Sequence, residues 1–553
     1  MAGGTWVDQN KKQPGVYINY KSAPSSLATM GERGVVAIAR VLDWGERGKW
    51  YTITDPSDCE QFGHSITDAE CLFIRQILLG TNRTQGASKI LLWSLDTPDE
   101  SGTYASLSFK NNNAQNVVVE ATNPGREGNQ LSLEIEVDDG DATWKVYNGD
   151  LEVASQTIND LSDLNESMSE YIETVPTTGS ALPEGGEFHK TNLSGGLDGG
   201  NAAVAFIPKS TTGVVQVTAA HPGTYGNRLS VVITSNGSGQ FIVQTLLDGQ
   251  TVDSQIASKF GELRPNEYVG RWGFTSDSQA GIAETSGVNF EGGSNGDASL
   301  TNYSDFLDAL EVQKFDILIY DGSDATIKST YAQFVKDLSN NEGAKCQAVV
   351  CDYPNPDSEC VISVYPQSVT LVDGTVLANE ELTWWLGGAS AGAKANESLT
   401  NAKYTDAVSI TPLLNKSQKD SATDDGQLCL FSDDGDIRVL TDINTFRTFR
   451  VEKGQAFKKN RVIRTVFGLC NDIYSAFSKY YIGAVDNDEE GRKSLKAEII
   501  NILNRYQGIR AVQDVETEDV TVLKGTDSDA VVIEIYVRPV DSVEKIYINI
   551  TIS

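Results

Sequence analysis

Val117 to Ile135 reads VVVEATNPGREGNQLSLEI, and Val215 to Ile233 reads VQVTAAHPGTYGNRLSVVI. Pro124, Gly125, Gly128, Asn129, Leu131 and Ser132 reappear as Pro222, Gly223, Gly226, Asn227, Leu229 and Ser230, each 98 positions later. Self-similarity at a fixed period is the sequence mark of a repeated structural unit. Both stretches run into period-2 alternation (Leu131, Leu133, Ile135, Val137; Leu229, Val231, Ile233), the pattern of half-buried strands. Both end near a double glycine, Gly195-Gly196 and Gly292-Gly293. Pro-Gly-x-x-Gly-Asn is a turn device, because proline presets φ while glycine and asparagine tolerate left-handed backbone. Two tandem copies of a small antiparallel, sandwich-like β domain follow, with an architectural role for the shared motif.

Outward from the repeats the texture changes. Val35–Ala39 and Lys89–Trp93 are strand-like, and Ser65–Leu79 reads as a helix capped by Ser65, with Asp68 in its first turn. After the repeats, helices are expected over Tyr303–Leu310, Thr330–Leu338 and Glu380–Ala395. Apolar strands are expected at Phe315–Tyr320, Cys346–Cys351 and Val361–Val364. Continuous apolar strands alternating with helices argue for a sheet covered on both faces. The C-terminal region predicts helices over Ile473–Tyr481 and Glu490–Tyr506 and strands over Val531–Val537 and Ile546–Ile552. The expected fold is a multi-domain α+β chain in which two β domains are inserted into a discontinuous α/β body. Its segments are an N-terminal arm (1–20), a first core segment (21–101), β copies at 102–200 and 201–299, a second core segment of α/β type (300–446) and a C-terminal α+β domain (447–553).

Length and charge narrow the function. At 553 residues the chain exceeds the size of one hydrophobic core, and 39% apolar content fills several. A net charge of −32 argues against nucleic acid and anionic membranes as general partners. No apolar run approaches the ~20 residues that span a bilayer. Met1–Asp8 lacks the pattern of a signal peptide, so membrane insertion and export are not expected and synthesis in the cytoplasm is. Cys59, Cys71, Cys346, Cys351, Cys360, Cys429 and Cys470 are odd in number and scattered, as reduced, mostly buried thiols would be.

Chemical motifs resolve into architecture. Gly388-Ala389-Ser390-Ala391-Gly392 matches a nucleophile elbow, but it follows a helical stretch, and His64, His189 and His221 all precede it. Close helix packing explains its small residues. Asp486-Asn487-Asp488-Glu489-Glu490-Gly491 starts like an EF-hand, yet position twelve is Ala497 instead of a bidentate Glu, so the acids serve a helix N-terminus. Asp433-Asp434-Gly435-Asp436 and Asp138-Asp139-Gly140-Asp141 read as turns. No metal, cofactor or catalytic site is expected.

One charge anomaly stands out: Arg447, Arg450, Lys453, Lys458, Lys459, Arg461 and Arg464 crowd a stretch holding only Glu452. Such a run is either a partner-facing patch or a set of cations with internal carboxylate partners.

Several motifs in this order resemble contractile tail sheath proteins of phages and phage-derived particles: Pro14-Gly15-Val16-Tyr17-Ile18, the two Pro-Gly-x-x-Gly-Asn turns, Gly292-Gly293-x-x-Gly296, Asp442-Ile443-Asn444-Thr445-Phe446 and the closing helices and strands. The resemblance implies a helical homo-oligomer in a virion tail. It also implies a tail tube, baseplate and tail terminator proteins as partners, with a C-terminal domain facing the tube. On that reading the basic tract meets an acidic tube. The duplicated β domain departs from the simpler single-copy layout. A bacteriocin or injection-system sheath fits equally, and a carbohydrate-binding or adhesive virion protein is the reading from another class.

Both chain ends then predict linking strands. Val16, Tyr17 and Ile18 form a short strand behind a polar leader. Ile546, Ile548, Ile550 and Ile552 alternate with Tyr547, Asn549 and Thr551 in a strand without the charges or prolines that protect an edge. Exchange of these strands between subunits is the expectation.

Overall fold

The computed structural model describes residues 2–4, 15–17, 31, 33–96, 104–122, 126–164, 166–169, 171–196, 202–210, 214–273 and 278–552. Both repeats fold as seven-stranded antiparallel sandwiches of identical layout. In the first, Ile172–Val175, Asn116–Ala121 and Ser106–Lys110 form one sheet. Leu151–Ile158, Asp141–Asn148, Leu131–Asp138 and Phe188–Asn192 form the other. The second copy has Ala202–Pro208, Val214–Pro222 and Val269–Trp272 opposite Gln250–Ala257, Phe241–Leu247, Leu229–Ser235 and Thr285–Asn289. Alternation decides which face is buried: Val117, Val119, Leu133, Ile135, Trp144 and Val146 meet in one core, and Val215, Val217, Val231, Ile233 and Val243 in the other. Asp139-Gly140 and Asp248-Gly249 hold positive φ at hairpin turns, as the primed turn types require.

The shared motif has a visible task in each copy. After the turn, a 3₁₀ segment (Arg126–Gln130; Thr224–Arg228) carries Gly128 or Gly226 against the sheet. A Cβ on Gly128 would sit 2.8 Å from the Cβ atoms of Ala105 and Ala121. On Gly226 it would sit 3.0 and 3.3 Å from those of Ala203 and Ala219. The glycine and its two alanines are thus one repeated close-packing unit. Asn123, Pro124 and Gly125 lie outside the described residues.

The chain divides into two compact units. One comprises residues 36–76 and 89–314 and contains both β copies. It also holds strands Lys89–Ser94 and Lys49–Ile53, paired antiparallel, and the Leu300–Glu311 helix, which starts at a Ser299 capping box. The helix expected over Ser65–Leu79 is shorter, Leu72–Leu78, behind 3₁₀ segments Pro56–Phe62 and Ala69–Cys71. Ser65 is not its cap: the Asp68 carboxylate accepts from the Ser65 amide at 2.9 Å, and this local side-chain bonding holds the chain in turns.

The other unit gathers residues 1–35, 77–88 and 315–553, so it is discontinuous in sequence. Ile317–Tyr320, Gln347–Cys351, Val361–Val364 and Gln427–Leu428 are parallel neighbours, and the first three are buried throughout. Helices Ala325–Asp337 and Leu382–Gly392 lie beside them. The Gly-Ala-Ser-Ala-Gly stretch sits inside the second helix. A Cβ on Gly388 would lie 1.9 Å from the Ile77 carbonyl oxygen and one on Gly392 2.1 Å from that of Gly86, so the small residues permit backbone approach. The C-terminal region packs helices Asn460–Tyr480 and Glu489–Gly508 around Leu469, Ile499, Ile502, Leu503 and Tyr506, with a hairpin of Val520–Lys524 and Val531–Ile535. Asp488 caps the second helix through the Gly491 amide at 2.7 Å, the role expected for that acidic loop.

One expectation here needs correction. The helix predicted from Ile473 begins at Asn460 and absorbs the end of the basic tract. Ile546–Ile552 joins no strand ladder among the described residues, and Val531–Ile535 pairs with Val520–Lys524. No helix among the described residues is long and apolar enough to cross a membrane.

Candidate assembly site

The last residues leave the body in steps. Arg538 pairs with Asp519 at 2.8 Å, the Val540 amide donates to the Ala511 carbonyl at 2.9 Å, and Glu544 accepts from Thr400 Oγ1 at 2.8 Å while pairing with Lys459 Nζ. Beyond Glu544 the described residues, Lys545 to Ile552, are exposed. Ile546, Ile548, Ile550 and Ile552 are 74–92% exposed, and Tyr547 stands in solvent beside them. At the other end Gly15–Tyr17 pairs in parallel with Ala2–Gly4, placing Val16 opposite Gly3 and Tyr17 opposite Gly4. Ile18 lies outside the described residues.

The basic tract is mostly turned inward. Arg464 is buried in an ion pair with Asp442 and also donates to the Glu397 carbonyl at 3.0 Å, so it cannot face a partner. Its assignment to a partner-facing patch is corrected by that burial. Lys459 holds Glu544, and Lys458 donates to the Thr423 carbonyl at 2.5 Å. Burial lowers the pKa of Lys458 and of Arg461. Arg447 donates to the Pro354 carbonyl at 3.2 Å and lies 3.8 Å from Asp425. Lys453 pairs with Glu359 while remaining half exposed, and Arg450 is exposed. These last two are the exposed cations of the tract, and Arg450 the one without a pairing carboxylate among the described residues.

Asp442-Ile443-Asn444-Thr445-Phe446 is the node that receives this tract. Asp442 accepts from Leu399 N at 3.0 Å and from Asn460 Nδ2 at 2.9 Å besides its pair with Arg464. Asn444 donates to the Phe457 carbonyl at 2.9 Å and accepts from Phe446 N at 3.1 Å. Thr445 Oγ1 donates to the Ser358 carbonyl at 2.9 Å. The node therefore fastens the start of the Asn460–Tyr480 helix to the loop before the Val361–Val364 strand. Sequence reasoning recognised the motif but not its partner; the signal was Arg464, spaced with Val462, Ile463 and Phe467 as on a helix.

Nothing in this arrangement is poised for chemistry. Ser390 is fully buried within its helix, where no substrate carbonyl reaches Oγ. The described cysteines are free thiols, and no group of three His, Cys, Asp or Glu among the described residues is placed to hold a metal ion.

Comparison with known proteins agrees with this structural character. Residues 296–445 match the phage tail sheath protein central domain, and residues 452–553 match the phage tail sheath C-terminal domain. The chain is 31% identical over 423 residues to the phage-like element PBSX protein XkdK of Bacillus subtilis, covering 72% of this chain and 89% of that one. It is 26% identical over 579 residues to the uncharacterized Bacillus subtilis protein YqbK, covering all of both. A solved sheath tail protein of Desulfitobacterium hafniense superposes with a TM-score of 0.67 at 31% identity, covering 97% of this chain and 99% of that one.

Proposed function

Since the chain belongs to the phage tail sheath family, whose members are structural proteins and not enzymes, we propose that it polymerises helically around a tail tube and contracts to drive that tube through a host envelope. Heterologous contacts that do not close on themselves generate such open helical assemblies. Contraction draws on free energy held in the assembled lattice and needs no bound nucleotide. Tail tube, baseplate and terminator proteins are the partners in this reading, and the virion tail is its location.

The observation that carries the reading is the arm after Glu544. Four alternating isoleucines stand in water on a segment with no ladder of its own, which is a liability in a monomer and an asset in a polymer. Added to a neighbour's sheet, the arm satisfies its N–H and C=O groups and buries its isoleucines. The N-terminal Val16-Tyr17-Ile18 segment serves as a second link. Arg450 and Lys453 remain as the cations available to an acidic tube surface. Electron microscopy of the purified chain tests the proposal: striated tubes are expected from the full-length protein, and only folded monomers from a chain ending at Asp541. Normal tubes from the truncated chain refute arm exchange.

A further inference from the structure

We propose that Glu544 is a positioning residue that clasps the root of the C-terminal arm to the subunit body, fixing the point from which the arm departs. The inference rests on the arm reading above but concerns a different link. Among the described residues, Glu544 is the last with a side-chain anchor on the body. One carboxylate oxygen accepts from Thr400 Oγ1 at 2.8 Å and the other pairs with Lys459 Nζ. The Glu544 side chain is 13% exposed and that of Lys459 22%, so the pair is shielded well beyond an ordinary surface ion pair. Both partners adjoin the buried node. Thr400 Oγ1 also accepts from the Asp442 amide at 2.9 Å, and Lys459 directly precedes Asn460, whose Nδ2 donates to Asp442. The arm root is therefore tied to the motif that fastens the 460–480 helix to the parallel strands. Immediately after the clasp, Lys545 and all residues to Ile552 are exposed.

A fixed root holds a free arm near one patch of solution, which raises its effective concentration at a neighbouring subunit and gives the link a defined pivot. The position of Lys545 makes the clasp measurable without any assembly. Trypsin cuts after Lys545, and cleavage of a locally opened segment tracks how often it opens. Glu544→Ala in full-length, unassembled protein is expected to release the 546–553 peptide about tenfold faster than wild type, with an unchanged melting temperature. Glu544→Gln, which keeps an acceptor for Thr400 but loses the charge attraction, is expected to fall between. If Glu544→Ala folds poorly, Lys459→Met breaks the same pair from the body side and is expected to accelerate the same cut. Release at the wild-type rate in folded Glu544→Ala or Lys459→Met overturns the clasp, whether or not the chain ending at Asp541 forms tubes.

Discussion

Asn129 and Gly196, 67 residues apart in sequence, exchange two hydrogen bonds. Asn129 Nδ2 donates to the Gly196 carbonyl at 2.8 Å, and its Oδ1 accepts from the Gly196 amide at 2.9 Å. Asn227 and Gly293 repeat the pair at 3.0 and 2.8 Å. The asparagine of each turn therefore closes its own sandwich, joining the first turn to the exit from the last strand. Removing it leaves a backbone donor and acceptor unpaired, so Asn129→Ala is expected to destabilise the first copy by about 1–3 kcal/mol. Hydrogen exchange should accelerate for amides of residues 106–192 and stay unchanged for 202–289, because the cores are separate. Equal acceleration in both copies contradicts this.

The copies are not equivalent to their host. The core of the first contains residues 105–193 alone, whereas that of the second includes Trp44. The Trp44 ring lies edge-on to His221 and tilted against Tyr225, 4.9 Å from each, and a Cβ on Gly223, at φ +122°, would strike the Asp43 carbonyl at 1.9 Å. Residues 102–200 hold 17 acidic against four basic side chains, while 201–299 hold eight against five, so the first copy is the more solvated module. Deleting residues 102–199 is expected to leave a soluble, folded chain. Deleting 201–293 uncovers Trp44 and is expected to aggregate, since fully buried large apolar side chains are each worth roughly 1.5–3 kcal/mol. Solubility and melting of the two deletions decide the matter.

His64 makes this junction pH-sensitive. It is buried, with Nε2 2.7 Å from Asp43, Nδ1 3.3 Å from Asp68 and Glu70 at 4.0 Å, and its ring lies edge-on to Tyr225 at 5.1 Å. Burial alone would lower its pKa, but the hydrogen bond and charge of Asp43, then Asp68 and Glu70, outweigh burial and raise it. The imidazolium thus stabilises the fold fully below the unfolded value of about 6.5, and that contribution fades as pH rises through the higher folded value. The thermal stability of wild type should fall from pH 6 toward 8 relative to His64→Gln. Parallel pH profiles for the two proteins would exclude the effect.

Arg464 and Arg450 separate stability from assembly. Arg464→Ala strands the Asp442 carboxylate in the interior, a loss of about 3–5 kcal/mol when a buried pair is broken. Arg450→Glu should change stability little while reducing sheath loading onto tubes, most strongly at low salt, whereas Lys453→Glu would also set a carboxylate against Glu359 and cost stability. Loading that is unaffected at any ionic strength removes the tube-facing role.

The duplicated sandwiches were legible because their determinants are local: alternation, Asp-Gly turns and a motif repeated at constant spacing. Leu382–Gly392 was legible for the same reason, its run of small residues implying close packing before the neighbours Ile77 and Gly86 were known. The basic tract was not. Whether Arg464 faces solvent depends on Asp442, 22 residues away, and charge alone carries no direction. For Ile546–Ile552 the unprotected edge pointed to a strand given to a neighbour, but alternation does not say which sheet receives it. The second copy and its joint with Asp43-Trp44 depend on a contact some 180 residues long in sequence, beyond any periodicity argument.

The alternation of the arm yields its own test. If residues 546–552 add to a neighbouring sheet as a strand, successive side chains point to opposite faces, with Ile546, Ile548, Ile550 and Ile552 on one and Tyr547, Asn549 and Thr551 on the other. In the isolated subunit both sets are exposed, so substitutions on either face should leave the monomer's folding unchanged. Assembly should distinguish them sharply. Ile548→Asp with Ile550→Asp places charges where apolar pockets of the neighbour are expected and should abolish tubes. Asn549→Asp with Thr551→Asp adds the same charge one residue along and should leave tubes intact, because that face remains in water. A one-residue offset reverses the face only in an extended strand, so the contrast separates strand addition from non-specific hydrophobic sticking. Equal loss of tubes in both double variants, at matched protein and salt concentration, would show that net charge at the tail governs assembly and that the arm does not insert as a strand.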